Sequence, residues 1–150
     1  MANYNFNKDI LLGEDGEATV VKYLESKGGK LVTDNKNNEY DVIINYKGNE
    51  IKYEIKTDVF CTDKLDTGNL FIEFECRGKP SGITVTKAKW FVTYYKHLGE
   101  IWFIETDKLL ELINRKSFRT TKQSGDVGSN TKGYLINRKR YKELFKVKYV

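Results

Sequence analysis

Histidine occurs once, at His97, cysteine twice, at Cys61 and Cys76, and proline once, at Pro80. Chemistry that depends on several histidines is thereby excluded, and two cysteines are too few for a disulfide framework or a zinc site. No apolar run approaches the roughly 20 residues a membrane span requires, and the opening MANYNFNKD lacks a signal-peptide core. Cytoplasmic residence without a membrane partner is the expectation. Internal repeats, low-complexity runs and interdomain linkers are missing too. The 150 residues, 39% hydrophobic and 31% charged, suit one soluble domain with its own core.

Charge is plentiful and unevenly spread. Residues 1–105 hold 14 Lys and Arg against 17 Asp and Glu, and residues 106–150 hold 12 against 4, giving −3 and +8 within a net +5. A basic final third suits a polyanion, because Lys and Arg displace counterions from phosphates. The 20 aromatics, 10 Tyr, 8 Phe and 2 Trp, recur at strand spacing. That argues packing before base stacking, and none is assigned to nucleobases.

The most informative stretch is YDVIINYKGNEIKYEIK, from Tyr40 to Lys56. Tyr40, Val42, Ile44 and Tyr46 alternate with Asp41, Ile43 and Asn45, and the alternation resumes with Ile51, Tyr53 and Ile55 against Lys52, Glu54 and Lys56. This predicts two strands and a tight turn. Both apolar rows must share one face, which leaves two registers. A Gly48-Asn49 turn pairs Asp41 with Lys56, and a Lys47-Gly48 turn pairs Asp41 with Glu54. Either way Asp41, Glu54 and Lys56 share the other face.

Two carboxylates within about 4.5 to 8 Å across a strand pair repel unless a cation sits between them. Carboxylates and carbonyls are hard ligands, suited to magnesium or manganese, and the carbonyl of Ile55 lies between Glu54 and Lys56. Lys56 is then placed to orient a water or help deprotonate it. One Asp followed by Glu-x-Lys on the adjacent strand resembles the PD-(D/E)XK nuclease superfamily. Tyr40 stands in place of the motif's proline, which does no chemistry.

The resemblance covers roughly residues 13 to 105. It implies an α/β, restriction-endonuclease-like fold, with a central mixed sheet flanked by the first helix on one side and later helices on the other. It implies Mg2+- or Mn2+-dependent hydrolysis of DNA, with catalytic Glu17, Asp41, Glu54 and Lys56. The metal would be held by Asp41, Glu54, Ile55 and Glu17. Small size and the basic tail favour a structure-directed enzyme for junctions or branched DNA, in a phage or in repair and recombination. Cutting both strands symmetrically would call for a homodimer. The alternatives are a catalytically silent nucleic-acid-binding or assembly protein with the same fold, and a basic domain for an acidic protein partner.

Along the chain, the first ten residues read as a loose arm. Gly13 to Lys27 has helical spacing, with Glu17, Val20, Val21 and Leu24 on one stripe, ending at Gly28-Gly29. A carboxylate on an apolar stripe needs a partner, which singles out Glu17, with Glu14 as its rival. Lys30 to Thr33 and Asn69 to Cys76 read as strands, the latter presenting Glu73 and Glu75 toward the catalytic side or solvent. Arg77 to Trp90, with Lys79, Ser81, Lys87 and Lys89, suits contacts with a nucleic-acid backbone, with a helical turn at 86–89.

Two strands, Trp90 to Tyr95 and Ile101 to Glu105, flank a turn that exposes His97. Thr106 or Asp107 would cap a helix burying Leu109, Leu110 and Ile113. Ser117 to Gly133, basic at Arg119, Lys122 and Lys132, reads as a loop that orders on meeting DNA. Asn137 would cap a last helix that docks Tyr141, Leu144 and Phe145. That helix would turn Arg138, Lys139, Arg140 and Lys142 outward to nucleic acid, with Lys146 and Lys148 extending the charge.

Overall fold

The computed structural model describes residues 6–123 and 130–150, and side chains within 15–121 and 130–150. The chain runs α1 (Phe6–Ser26), β1 (Lys30–Thr33), β2 (Val42–Tyr46), β3 (Asn49–Thr57), β4 (Asn69–Cys76), β5 (Lys79–Pro80), a 3-10 turn (Gly82–Thr84), β6 (Trp90–Tyr95) and β7 (Glu100–Glu105). It continues with α2 (Thr106–Arg115), β8 (Thr120–Gln123), β9 (Thr131–Asn137), the short α3 (Arg138–Tyr141), a second 3-10 turn (Lys142–Leu144) and β10 (Lys146–Tyr149).

A six-stranded mixed sheet, ordered β1-β2-β3-β6-β7-β10, forms the centre. Its one parallel pairing is β3 with β6. Parallel neighbours need a crossover, and here the crossover carries β4 and β5 out to a second, four-stranded sheet ordered β5-β4-β9-β8. The α/β expectation of a central mixed sheet with flanking helices holds.

Alternation along the strands sorts the side chains into two cores. Val42, Ile44, Tyr53, Ile55, Val92, Tyr94, Ile101 and Phe103 pack with Val20 and Val21 of α1. On the other face Phe91, Tyr95, Trp102 and Ile104 pack with Leu70, Ile72 and Ile136 of the second sheet and with Leu109 and Leu112 of α2. β6 is therefore buried on both faces, consistent with its continuous run WFVTYY.

Several expectations are corrected. The far face is covered by a second sheet together with α2, not by helices alone. α1 begins at Phe6 rather than Gly13, and Glu14 and residues 1–5 of the arm lie outside the described side chains and residues. The 117–133 stretch contributes β8 and the start of β9, since a strand needs only one covered row, here Tyr134 and Ile136, paired with Ile72 and Leu70.

No helical turn forms at 86–89. A 3-10 turn occupies Gly82–Thr84, and the Thr86 hydroxyl donates to the Glu39 carbonyl at 3.0 Å. The α2 N-cap is Glu105, without a side-chain bond. Leu112 joins Leu109 in the core, while Leu110 and Ile113 pack at its edge. Asn137 does cap α3, accepting from the Arg140 amide at 2.9 Å, but Leu144 is exposed rather than docked.

Candidate active site

The hairpin settles between its two possible registers. Lys47 and Gly48 both have positive φ, 51° and 84°, the requirement of a two-residue turn whose twist matches the strands. Val42 then pairs Tyr53, Ile43 pairs Lys52, and Tyr46 pairs Asn49. Continued by one step, the same register sets Asp41 opposite Glu54. The Asp41 amide donates to the Tyr53 carbonyl at 2.9 Å, and its Oδ2 accepts from the Ile55 amide at 2.7 Å. A side chain thus takes over where the ladder stops.

Because Tyr53 and Ile55 are buried against α1, Glu54 and Lys56 are turned to the opposite face. Glu54 is only 5% exposed. Burial pushes its carboxyl up to about 7; Lys56 pulls it down, while Asp41, Glu73 and Glu17 push it further up. Burial works against the Lys56 ammonium, yet Glu54, Glu73 and Asp41 outweigh it and hold its pKa above the usual lysine value. Three carboxylates, Glu54, Glu73 and Asp41, therefore act on Lys56, and Glu17 acts on Glu54. Glu73, from β4 of the second sheet, is one of them, and the sequence had left its role open between tuning the site and a wet face.

Glu17, on α1, acts on Glu54 through its charge and touches a different partner. Its Oε2 pairs with Lys36 Nζ at 2.7 Å, and its side chain is 17% exposed. Both line a groove of about 480 Å³ with Lys22, Asp34 and Val42. Lys36 also acts on Lys56. Sequence reasoning missed Lys36, which sits in a polar loop with no pattern to mark it. The close approach of helix to strand depends on Gly16, where an added Cβ would stand 1.8 Å from the Thr57 Oγ1.

No protein-family model and no curated protein matches the chain. A solved structure does: the bacterial homing endonuclease I-Ssp6803I aligns over 67% of this chain and 71% of its own, with TM-score 0.54 and 15% sequence identity. The two share a fold.

The residues expected to contact nucleic acid fall into distinct groups. Lys79, Lys87 and Lys89 are exposed, and the loop bearing the last two is tied to the hairpin, since the Lys87 amide donates to the Glu39 carbonyl at 2.8 Å and the Lys89 amide to the Lys52 carbonyl at 3.0 Å. Ser81 is half-buried with a buried hydroxyl that has no partner among the described residues. Arg119, Lys139, Arg140 and Lys142 are exposed, whereas Lys132 pairs with Glu75 at 3.1 Å. The Lys122 side chain lies outside the described ones.

Arg138 is a correction. Its guanidinium is buried, grips the Asp66 carboxylate and lies 4.7 Å over the Tyr95 ring. It holds the 58–69 connection to the start of α3, so it does not face nucleic acid. Among the described residues, no three His, Cys, Asp or Glu side chains form a closed metal-binding group, and no helix is long and apolar enough to cross a membrane.

Proposed function

We propose that the protein is a metal-dependent endonuclease that hydrolyses phosphodiester bonds in DNA, with Asp41, Glu54, Lys56 and Glu17 as its catalytic residues. The observation that carries this reading is the buried Glu54, opposite Asp41 in the hairpin and beside Lys56, in a shared field of four carboxylates. A buried carboxyl with other carboxylates around it favours a cation, because a cation relieves their mutual repulsion. Magnesium or manganese fits the donors. Asp41, Glu54 and the Ile55 carbonyl supply hard oxygens, and an ion that keeps its waters and takes a phosphate oxygen needs no closed set of three side chains. When bound, the ion supplies polarisation of the scissile phosphate and a more acidic water.

The chain's own residues do the rest. Asp41 is fixed by the Ile55 amide, so one oxygen is committed and the other is offered. Lys56 stays cationic near neutral pH, which suits it to hold the attacking water and offset charge on the phosphate rather than to accept a proton. Glu17 stands at the rim with Lys36, and Lys87, Lys89, Arg119, Lys139, Arg140 and Lys142 carry the DNA backbone. The homing endonuclease that shares the fold is named for DNA cutting, which supports the substrate class. Within this reading the enzyme is structure-directed, acts on junctions or branched DNA in repair, recombination or a phage, forms one domain, and works as a cytoplasmic homodimer.

A catalytically silent DNA-binding protein of the same fold is the second reading. It is favoured by the oxygen that Asp41 spends on its own backbone. Cleavage of linear duplex, supercoiled plasmid, single strand and a four-way junction, with magnesium, manganese or EDTA, separates the two. The nuclease reading expects metal-dependent cutting that Lys56→Ala abolishes. Binding without cutting under every metal selects the silent protein instead.

A further inference from the structure

On the face of the central sheet opposite Glu54 and Lys56, α1 stops at Ser26 and leaves part of the sheet uncovered. A groove of about 290 Å³ remains between the last helical turn and β10. Its floor is aromatic. Trp90 stands edge-on to Phe103 at 6.5 Å between centroids, and Tyr23 tilts against the same ring at 5.9 Å. The rim is cationic, with Lys27, Lys146 and Lys148 and no Asp or Glu among the lining residues. Lys146 and Lys148 come from alternate positions of β10, paired with Phe103 and Ile101, so both point to this face. Lys146 Nζ lies 5.2 Å over the Trp90 ring and Lys27 Nζ 5.7 Å over Tyr23.

A neutral or basic apolar peptide leaves the lysine rim unmatched; an anion with a flat aromatic body matches both floor and rim. A half-buried aromatic ring bordered by lysines is an arrangement that can stack an unpaired base and hold its phosphates. Bases in a duplex are sheltered within the stack and cannot enter. The volume, just below the roughly 300 Å³ lower limit of ordinary small-molecule sites, suits one ring system rather than a helix.

We propose that this groove takes up an unpaired nucleotide, its base stacked on Trp90 and its phosphates held by Lys27, Lys146 and Lys148. This rests on the nucleic-acid reading above but not on cleavage. It also revises the view that the aromatics serve packing alone, because Trp90 is half-buried, not core. A site on the sheet's far face would let the protein tell gapped, flapped or branched DNA from plain duplex before the carboxylate face engages.

The test is tryptophan fluorescence of the full chain in EDTA, titrated with a short oligothymidylate and, separately, with a blunt duplex. Trp102 is buried, so the groove reports through Trp90. The expected result is saturable quenching by the oligothymidylate that disappears in Trp90→Phe, while Trp90→Phe still binds by anisotropy. The double variant Lys146→Glu/Lys148→Glu should weaken single-strand binding at least about tenfold, the scale of lost phosphate contacts, with a clearly smaller loss of duplex binding by gel shift. Quenching without Trp90, or equal loss of single-strand and duplex binding, overturns the proposal. A dimer that the charge reversal converts to monomer, with single-strand affinity unmoved, overturns it in favour of a contact between copies. Loss of all nucleic-acid binding in the unmodified protein removes both this proposal and the reading beneath it, whereas duplex binding without quenching removes this proposal alone.

Discussion

The Asp41 carboxylate accepts the Ile55 amide hydrogen at 2.7 Å, so a side chain from the end of the second strand finishes a backbone bond on the third. Removing charge and removing the acceptor should therefore have different effects. Asp41→Asn keeps an acceptor and should leave the melting temperature within a few degrees while abolishing cleavage. Asp41→Ala orphans a part-buried amide, at a cost of about 1–3 kcal/mol. Thermal unfolding of the two variants decides. Equal stabilities would show that the bond does not anchor the residue.

Glu54 predicts a pH dependence. Its folded pKa, about 7, lies above the ordinary 4.5, so the folded state binds the extra proton. The associated stabilisation is complete below pH 4.5 and disappears as pH rises through 7. It amounts to at most about 3 kcal/mol on the usual conversion of pKa shift to free energy. Glu54→Gln should flatten this part of the stability profile and make the metal-free protein more stable at pH 8. Magnesium or manganese should raise the melting temperature of the unmodified protein at pH 8 and leave the Gln variant unmoved. A profile of the unmodified protein that is flat between pH 4.5 and 7 contradicts the buried-acid description.

Gly16 sets the distance between helix and strand. Gly16→Ala would drive a methyl to 1.8 Å from the Thr57 Oγ1, pushing α1 and Glu17 away from β3, with a destabilisation of about 1–3 kcal/mol for overpacking. Adding Thr57→Ala to it removes the worst clash and should recover part of the loss. Chemical denaturation of the single and double variants tests the contact, and strict additivity between the two changes would refute it.

Arg138 should separate stability from DNA affinity. Asp66→Ala leaves a buried guanidinium without its counter-charge. The cost should be about 2 kcal/mol, below the 3–5 kcal/mol of a fully buried pair, because a third of the Asp66 side chain meets solvent. Arg140→Ala and Lys139→Ala, both exposed, should instead weaken DNA binding and reduce its salt dependence with little effect on unfolding. DNA affinity that fell in Asp66→Ala without a loss of stability would return Arg138 to the binding surface.

The hairpin was legible because its apolar alternation permits few registers, and Asp41, Glu54 and Lys56 share a face in each. The turn was not, since Gly48 can serve either loop, and only the positive φ of Lys47 distinguishes them. β6 and β7 were legible through their dense apolar runs. β8 and β9 escaped because Thr, Lys and Gly mask a strand whose buried row is short. Arg138 was misassigned for a different reason. A run of basic residues shows charge but not a partner 72 residues away. Glu73 alternated correctly, yet nothing local told that its strand belongs to a second sheet whose field reaches Glu54.

That division of origins bears on how the protein matures. The hairpin is a local structure, of the kind that forms quickly, and its register alone puts Asp41, Glu54 and Lys56 on one face. Glu17 and Glu73 arrive only when α1 and β4 dock, and the same docking takes Glu54 out of water. The three residues that share a face are thus set by sequence-local pairing, while the raised pKa of Glu54 is set by contacts from outside the hairpin.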